Sequence, residues 1–309
     1  MADQKTIVVL GSLNMDLVVR AKHAPKGGET LPGEVFLTIP GGKGANQAVA
    51  ASRLGGRAAM VGRVGRDGFG DQMVKNLEEQ GVITTNLRRE EQTSTGVALI
   101  VVEDSGENRI IIVPGANGLV NHSDVEGAAD LIRSAGLLVM QFEISLDTVS
   151  FAAEMANRQG VPILLNPAPS YPVADGLLQI ISYLVLNEHE AELISGLKVN
   201  NSSTAEAAAR NLVSRGVKVV IITLGGQGLV MVNASRTWTL PAHPVKVIDS
   251  TAAGDAFIGA FAVALLEHGD LERAARFANA AGALTVTRLG AQTSIPTRKE
   301  VSDFMNQPK

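Results

Sequence analysis

From residue 137 onward the chain alternates short apolar runs with helix-length amphipathic stretches, and few folds accept that order. The runs 137–142, 161–166, 183–187 and 217–224 read as buried strands with helices between them. This alternation predicts an α/β fold: a doubly wound, mostly parallel sheet with helices on both faces, whose ligands collect at the carboxyl ends of the strands. The first half begins the same way. Residues 7–11 form an expected strand, 45–54 an alanine-rich helix closed by Gly55, and 58–81 a further strand, glycine-containing loop and helix.

Two stretches depart from this rhythm. Residues 16–20 and 30–39, and then residues 95–116 with a hairpin turn at 104–108, are β-rich. They are expected to join as a small β-sheet lid, formed by about 16–40 and 95–116, on a single α/β domain spanning 1–309. A short antiparallel passage is expected at 229–247, followed by an apolar helix ending near His268 and two closing helices. Composition narrows the function classes. With 45% hydrophobic and 19% charged residues the chain is globular, and a net charge of −4 without a basic block argues against nucleic acid as a partner. There are no cysteines, which removes disulfides, thiolate metal sites and cysteine nucleophiles. No apolar run approaches bilayer length and no signal-type core follows Met1, so a cytoplasmic protein without a membrane partner is expected.

The stretch Asp249-Ser250-Thr251-Ala252-Ala253-Gly254-Asp255 opens the apolar helix and places Asp255 in its first turn. Small residues there let an anion approach the free N–H groups of Ala252, Ala253 and Gly254, where the helix dipole favours negative charge. A carboxylate at the same point can accept a proton from an attacking hydroxyl, while the backbone donors stabilise a transferring phosphoryl group. An ordinary capped helix has the same spacing. Other strand ends carry compatible groups: Asn14 and Asp16 after the first strand, Gly41, Gly42, Lys43 and Asn46 at a helix start, and Glu143 after the strand 137–142. Together they supply acceptors, amides and an ammonium for several neighbouring hydroxyls.

Asn187 and Glu190 share a face at a helix start, a spacing that suits either a hydrated Mg²⁺ or an N-cap with its capping-box glutamate. The local pattern favours the cap. His189 reads as a surface residue and Trp238 as packing. After the strand 217–224, Gly225, Gly226 and Gly228 either cradle phosphates or form a hairpin turn; neither a Walker A loop nor a dinucleotide fingerprint is present.

Taken together, Gly41-Gly42-Lys43-Gly44-Ala45-Asn46-Gln47-Ala48, Asn187-x-x-Glu190 and the Asp249–Asp255 stretch resemble the ribokinase-type carbohydrate kinases, a family that also holds fructokinases and adenosine kinases. Ser250 and Ala252 depart from the family's D-T-x-G-A-G-D signature. The resemblance implies ATP-dependent phosphorylation of D-ribose at O5, with Asp255 as base and the backbone of 252–254 as anion hole. It further implies sugar contacts from Asn14, Asp16, Gly42, Lys43, Asn46 and Glu143. Asn187 and Glu190 would serve phosphate and Mg²⁺, Glu190 through water, while Thr223, Gly225, Gly226, Gly228 and Gly254 would line the nucleotide, with Asn279 near adenine. Potassium activation is implied too, through Asp249, the carbonyls of Thr251, Thr285, Arg288 and Gly290, and the Ser294 hydroxyl. Pairing of the lid sheets into a homodimer would stabilise two β patches too small to stand alone. Three alternatives accompany this reading: 2-deoxyribose or another small sugar or nucleoside as substrate, a non-catalytic sugar-binding regulator, and a nicotinamide dehydrogenase, which the missing fingerprint disfavours.

Overall fold

The computed structural model describes residues 4–105 and 107–306, so Gly106 of the expected turn at 104–108 lies outside the described residues. In chain order the elements are β1 (Thr6–Leu10), β2 (Asn14–Ala21), β3 (Val35–Gly41), α1 (Lys43–Arg53), β4 (Arg57–Gly65), α2 (Gly68–Glu79), β5 (Ile83–Glu90), β6 (Gly96–Glu103) and β7 (Asn108–Val113). There follow α3 (His122–Gly127), α4 (Ala129–Arg133), β8 (Leu137–Gln141), α5 (Leu146–Arg158), β9 (Ile163–Asn166), α6 (Asp175–Leu178), β10 (Tyr183–Leu186), α7 (Glu188–Ser195) and α8 (Ser202–Ser214). The chain closes with β11 (Val219–Thr223), β12 (Leu229–Asn233), β13 (Thr237–Leu240), α9 (Ala253–His268), α10 (Leu271–Thr285) and α11 (Arg298–Met305).

Runs of aliphatic residues with no polar face can only be strands covered on both sides, and they build a nine-stranded sheet in the order β13-β12-β11-β10-β9-β8-β1-β4-β5. Pairing is parallel from β5 through β11, and β12 and β13 add an antiparallel edge. Along β1, Ile7 and Val9 enter one core with α1, α9 and α10, while Val8 and Leu10 enter the other with α3, α5 and α8. Helices therefore cover both faces. The chain leaves β1 for β4 and β5 on one side and returns to β8 on the other, which opens a crevice at the carboxyl ends of β1 and β8.

The two early β patches do meet. A second sheet runs β3-β2-β6-β7, with β2 parallel to β6 and antiparallel to β3, and β6 and β7 form the expected hairpin. Three details differ from the sequence reading. Residues 30–34, with Pro32 and Gly33, precede the strand, which starts at Val35; Gly115–Leu119 is a 3-10 turn; and the antiparallel passage stops at Leu240, leaving 241–247 irregular. In addition β5 lacks any apolar run, since Ile-Thr-Thr-Asn-Leu-Arg-Arg-Glu is the polar sequence of an edge strand, and periodicity passes over it. The small sheet exposes aliphatic and aromatic side chains, among them Phe36 at 63% and Ile111 at 65%.

One close approach places the site. A Cβ at Gly259 of α9 would lie 2.5 Å from the Ala50 Cβ and 2.7 Å from the Ala51 nitrogen of α1, so only glycine lets the two helices lie this near. One turn earlier on each helix stand Asp255 and the pair Asn46 and Gln47.

Candidate active site

The helix α9 is preceded at its N-cap by Ala252, which adopts a left-handed conformation (φ 59°) that costs an alanine about 1 kcal/mol and makes no side-chain cap bond. Its carbonyl accepts the Ala256 N–H at 2.8 Å. The Ala253 N–H bends back to the Ser250 carbonyl at 3.3 Å, so of the three expected anion donors this one is shared with a turn. A Cβ at Gly254 would meet no other atom within 4 Å, and its backbone is open to a ligand.

Asp255 is buried, with 6% of its surface exposed. Its Oδ2 accepts from Asn46 Nδ2 at 3.0 Å and its Oδ1 from Gln47 Nε2 at 2.9 Å. Burial raises the Asp255 pKa above the ordinary carboxylate value, against the opposing pull of Lys43 and the two amides. For Lys43, burial disfavours the charge, yet Asp255, Glu143 and Glu190 together hold its pKa above the usual value. Asp16 is pushed up to about 7 by burial and then by Glu143 and Asp255. These charged groups thus face one space.

The loop before α1 shapes that space. Gly42 takes a positive φ of 87°, and a Cβ there would lie 2.7 Å from the Asn14 nitrogen, so the loop folds directly onto the turn between β1 and β2. Glu143 Oε2 accepts from the Ser12 hydroxyl at 2.5 Å and from the Lys43 N–H at 3.0 Å, and Asn14 Oδ1 accepts from Asn117 Nδ2 at 2.7 Å. All six expected sugar-binding positions therefore border the carboxyl end of β1 and the start of α1.

On the other side of the α9 start lies a cavity of about 470 Å³, a size usual for small-molecule sites. Thr223, Gly225, Gly226 and Gly228 line it from the turn after β11, Ala253 and Gly254 from α9, and Asn279 from α10. Asn279 Nδ2 donates to the Pro241 carbonyl at 2.8 Å, and a Cβ at Gly225 or Gly226 would meet no other atom within 4 Å. Apolar walls come from Val245, Val247, Phe257 and Val286. The residues thus fit a nucleotide: an apolar slot, an amide, and open glycine backbones that end at a helix N-terminus.

Asn187 and Glu190 form the capping box that their local pattern favours. Asn187 Oδ1 accepts the Glu190 N–H at 2.8 Å, and Glu190 accepts from the Asn187 N–H at 3.0 Å and from Asn187 Nδ2 at 2.9 Å. Each Glu190 oxygen keeps a lone pair, which fits a role through water and leaves less room for direct ligation. Burial raises the Glu190 pKa, opposed by the Asn187 N–H and Lys43. His189 is exposed, and Trp238 packs on the core with its indole N–H donating to Glu272 at 3.1 Å, as expected.

Of the positions expected around potassium, Asp249, Thr251 and Gly290 meet directly. Asp249 Oδ2 accepts the Gly290 N–H at 2.9 Å, its Oδ1 accepts from the Thr251 N–H and hydroxyl, and the Ile248 N–H donates to the Val286 carbonyl at 2.7 Å. Thr285 and Ser294 are buried; the Ser294 hydroxyl donates to the Ala291 carbonyl at 2.7 Å, and the Thr285 carbonyl accepts the Arg288 N–H at 3.2 Å. Among the described residues no cluster of three or more His, Asp or Glu side chains forms a metal site. The expected donors, a carboxylate, carbonyls and a hydroxyl, are all hard oxygen ligands.

Sequence reasoning missed Ser12, Gln47, Asn117, Gln141 and Asn166. Gln47 lay inside the quoted glycine-rich motif, next to Asn46, and the helical turn gives both side chains to one carboxylate. The others are single polar residues in apolar surroundings, a signal that sequence alone does not separate from caps.

Fold and site define a nucleotide-dependent kinase that acts on a small polyhydroxyl substrate. The sequence profile of the pfkB family carbohydrate kinases matches residues 4–298, and the chain belongs to that family. It is 45% identical to a ribokinase of Schizosaccharomyces pombe across 98% of both chains, and 38% identical to a deoxyribokinase of Salmonella typhi across 97% of this chain and 98% of that one. A solved Arabidopsis thaliana ribokinase complexed with ribose and ATP superposes with a TM-score of 0.92 at 32% identity, covering 99% of this chain and all of the other.

Proposed function

We propose that the protein transfers the γ-phosphoryl group of ATP to O5 of D-ribose, giving ribose 5-phosphate and ADP. The observation that carries this reading is the buried Asp255 carboxylate at the N-terminus of α9, between the polar crevice at β1 and the nucleotide-sized cavity. Asp255 takes the proton from the O5 hydroxyl as that oxygen bonds to the γ-phosphorus, and the bond from phosphorus to the ADP oxygen breaks. Backbone N–H groups at the start of α9 stabilise the charge on the moving phosphoryl oxygens, aided by the Lys43 ammonium. Asn14, Asp16, Gly42, Asn46 and Glu143 hold the sugar hydroxyls; the glycine turn after β11, Gly254 and Asn279 hold the nucleotide.

Glu190 would hold Mg²⁺ through water, with Asn187 beside it, and a bound ion would supply charge neutralisation at the phosphates. Asp249, Thr251, Thr285, Arg288, Gly290 and Ser294 would hold potassium in this reading, next to the loop before α9. The small sheet, about 16–40 and 95–116, acts as a lid on one α/β domain, and its exposed apolar rows support a homodimer. Among the described residues no helix is long and apolar enough to cross a membrane. We place the protein in the cytoplasm, with sugar and ATP as its partners. The 38% identity to a deoxyribokinase favours 2-deoxyribose as the second reading. Rates of ADP release with D-ribose, 2-deoxyribose, fructose and adenosine, run in potassium and in sodium buffers, test these assignments. Preferred turnover of D-ribose, faster in potassium, is expected; preference for 2-deoxyribose would transfer the assignment to that sugar, and equal rates in both buffers would remove the potassium site.

A further inference from the structure

Three buried amide side chains lie behind the carboxylate at the head of α9. Gln47 is 1% exposed, Gln141 is fully buried and Asn166 is 8% exposed. Gln141 Nε2 donates to Gln47 Oε1 at 2.5 Å, and Gln47 Nε2 donates to Asp255 Oδ1 at 2.9 Å and, more weakly, to Asn166 Oδ1 at 3.4 Å. Asn166 is itself fixed, because its Nδ2 donates to the Val185 carbonyl at 3.1 Å.

The direction of this chain follows from the acceptor at its end. An ionised carboxylate offers only acceptors, so Gln47 must turn its Nε2 to Asp255. Its Oε1 then faces Gln141, which must answer with a donor. Reversing the Gln47 amide would set its oxygen against both Asp255 Oδ1 and Asn166 Oδ1, leaving buried acceptors opposed. Gln47 thus has one orientation, tied to β8 through Gln141 and to β9 through Asn166. Asn46 reaches the other oxygen, Oδ2, from the preceding position of α1.

Resting on the reading of Asp255 as base, we propose that Gln47, clamped by Gln141 and Asn166, is the positioning residue that fixes the Asp255 carboxylate and keeps it ionised. The charged groups facing Asp255 are Lys43 on α1, Glu143 after β8, Asp16 on β2 and Glu190 on α7. Lys43 favours the carboxylate; the three acids and burial oppose it. Against that balance the neutral donor on Oδ1 works with Lys43 and the Asn46 amide to favour ionisation, because a hydrogen bond to the charged form stabilises it selectively.

The test uses Gln47→Met, which keeps length and volume but has no donor, and Gln141→Met, which frees the Gln47 amide without touching Asp255. Asp255 is titrated directly by NMR in protein labelled with ¹³C at aspartate Cγ, its resonance assigned by its loss in Asp255→Asn. Loss of the Gln47 donor is expected to raise the Asp255 pKa by about one pH unit, with a smaller rise in Gln141→Met. The acid limb of kcat should move by the same amount, so that kcat below that limb falls about tenfold while KM for ribose changes less than about twofold. An Asp255 titration identical to wild type in a folded Gln47→Met protein overturns the proposal, as does a kcat loss equal at every pH. Should Gln47→Met fail to fold, Gln141→Met is judged by the same criteria. The titration needs no turnover, so a wild type inactive on every sugar rejects the proposed function without removing this test. A moved titration with an unmoved kcat limb would reject Asp255 as the base.

Discussion

At the scale of single residues, Asp255 and Asp16 are two buried acids with different surroundings. Asp255 has an amide donor on each oxygen and Lys43 nearby, whereas Asp16, whose carboxylate lies against Gly41, is pushed up to about 7 by burial, Glu143 and Asp255. If Asp16 binds sugar hydroxyls, it accepts from them fully only when ionised, so protonation removes acceptors and weakens binding. The sign is therefore a loss of affinity as pH falls through about 7. Ribose binding measured by calorimetry is expected to be about tenfold weaker at pH 6 than at pH 8, as a titration centred between them requires. Asp16→Asn should weaken binding and flatten the profile. A wild-type affinity independent of pH over this range would remove Asp16 from the sugar contacts.

At the scale of elements, the contact of α1 with α9 joins Asn46 and Gln47 to Asp255, and Gly259 permits it. Gly259→Val forces the helices apart: a loss of about 1–3 kcal/mol is expected in denaturant unfolding. A drop in kcat of at least about tenfold should accompany it, because small displacements of positioning groups are costly. Unchanged kcat in a destabilised Gly259→Val protein would separate packing from catalysis. The sequence disclosed the strands β8 to β11 and the α9 helix because buried parallel strands and apolar helices have unmistakable patterns. It also disclosed Asp255, whose place in a first turn needs only local spacing. It did not disclose β5, whose polar edge sequence carries no period of its own, nor the amide chain of Gln47, Gln141 and Asn166, which joins three elements far apart in sequence. The left-handed Ala252 was hidden for another reason: alanine does not advertise a positive φ, and tertiary contacts impose it.

At the scale of the whole molecule, the nine-stranded sheet is covered on both faces, whereas the four-stranded sheet leaves Phe36, Leu99 and Ile111 on one face and Val35, Leu37, Ile110 and Ile112 on the other partly in water. So much exposed apolar surface on one small element marks an interaction surface. Light scattering is expected to give twice the chain mass, and Phe36→Asp with Ile111→Asp to give monomers; a wild-type monomer at all working concentrations would contradict lid pairing. The same sheet carries Asn14 and Asp16, so the proposed lid and the proposed sugar crevice share one element, β2. In the proposed reaction this crevice meets the cavity across the head of α9, with Asp255 between them. Its most direct test is ADP release from ATP and D-ribose by wild type and Asp255→Asn, with the product examined by ³¹P NMR. Ribose 5-phosphate from wild type is expected, with a loss of about 10²–10⁴ in kcat and retained ribose binding in Asp255→Asn. Near-normal turnover by Asp255→Asn would reject Asp255 as the base, and phosphorylation at another oxygen would reject O5 as the acceptor.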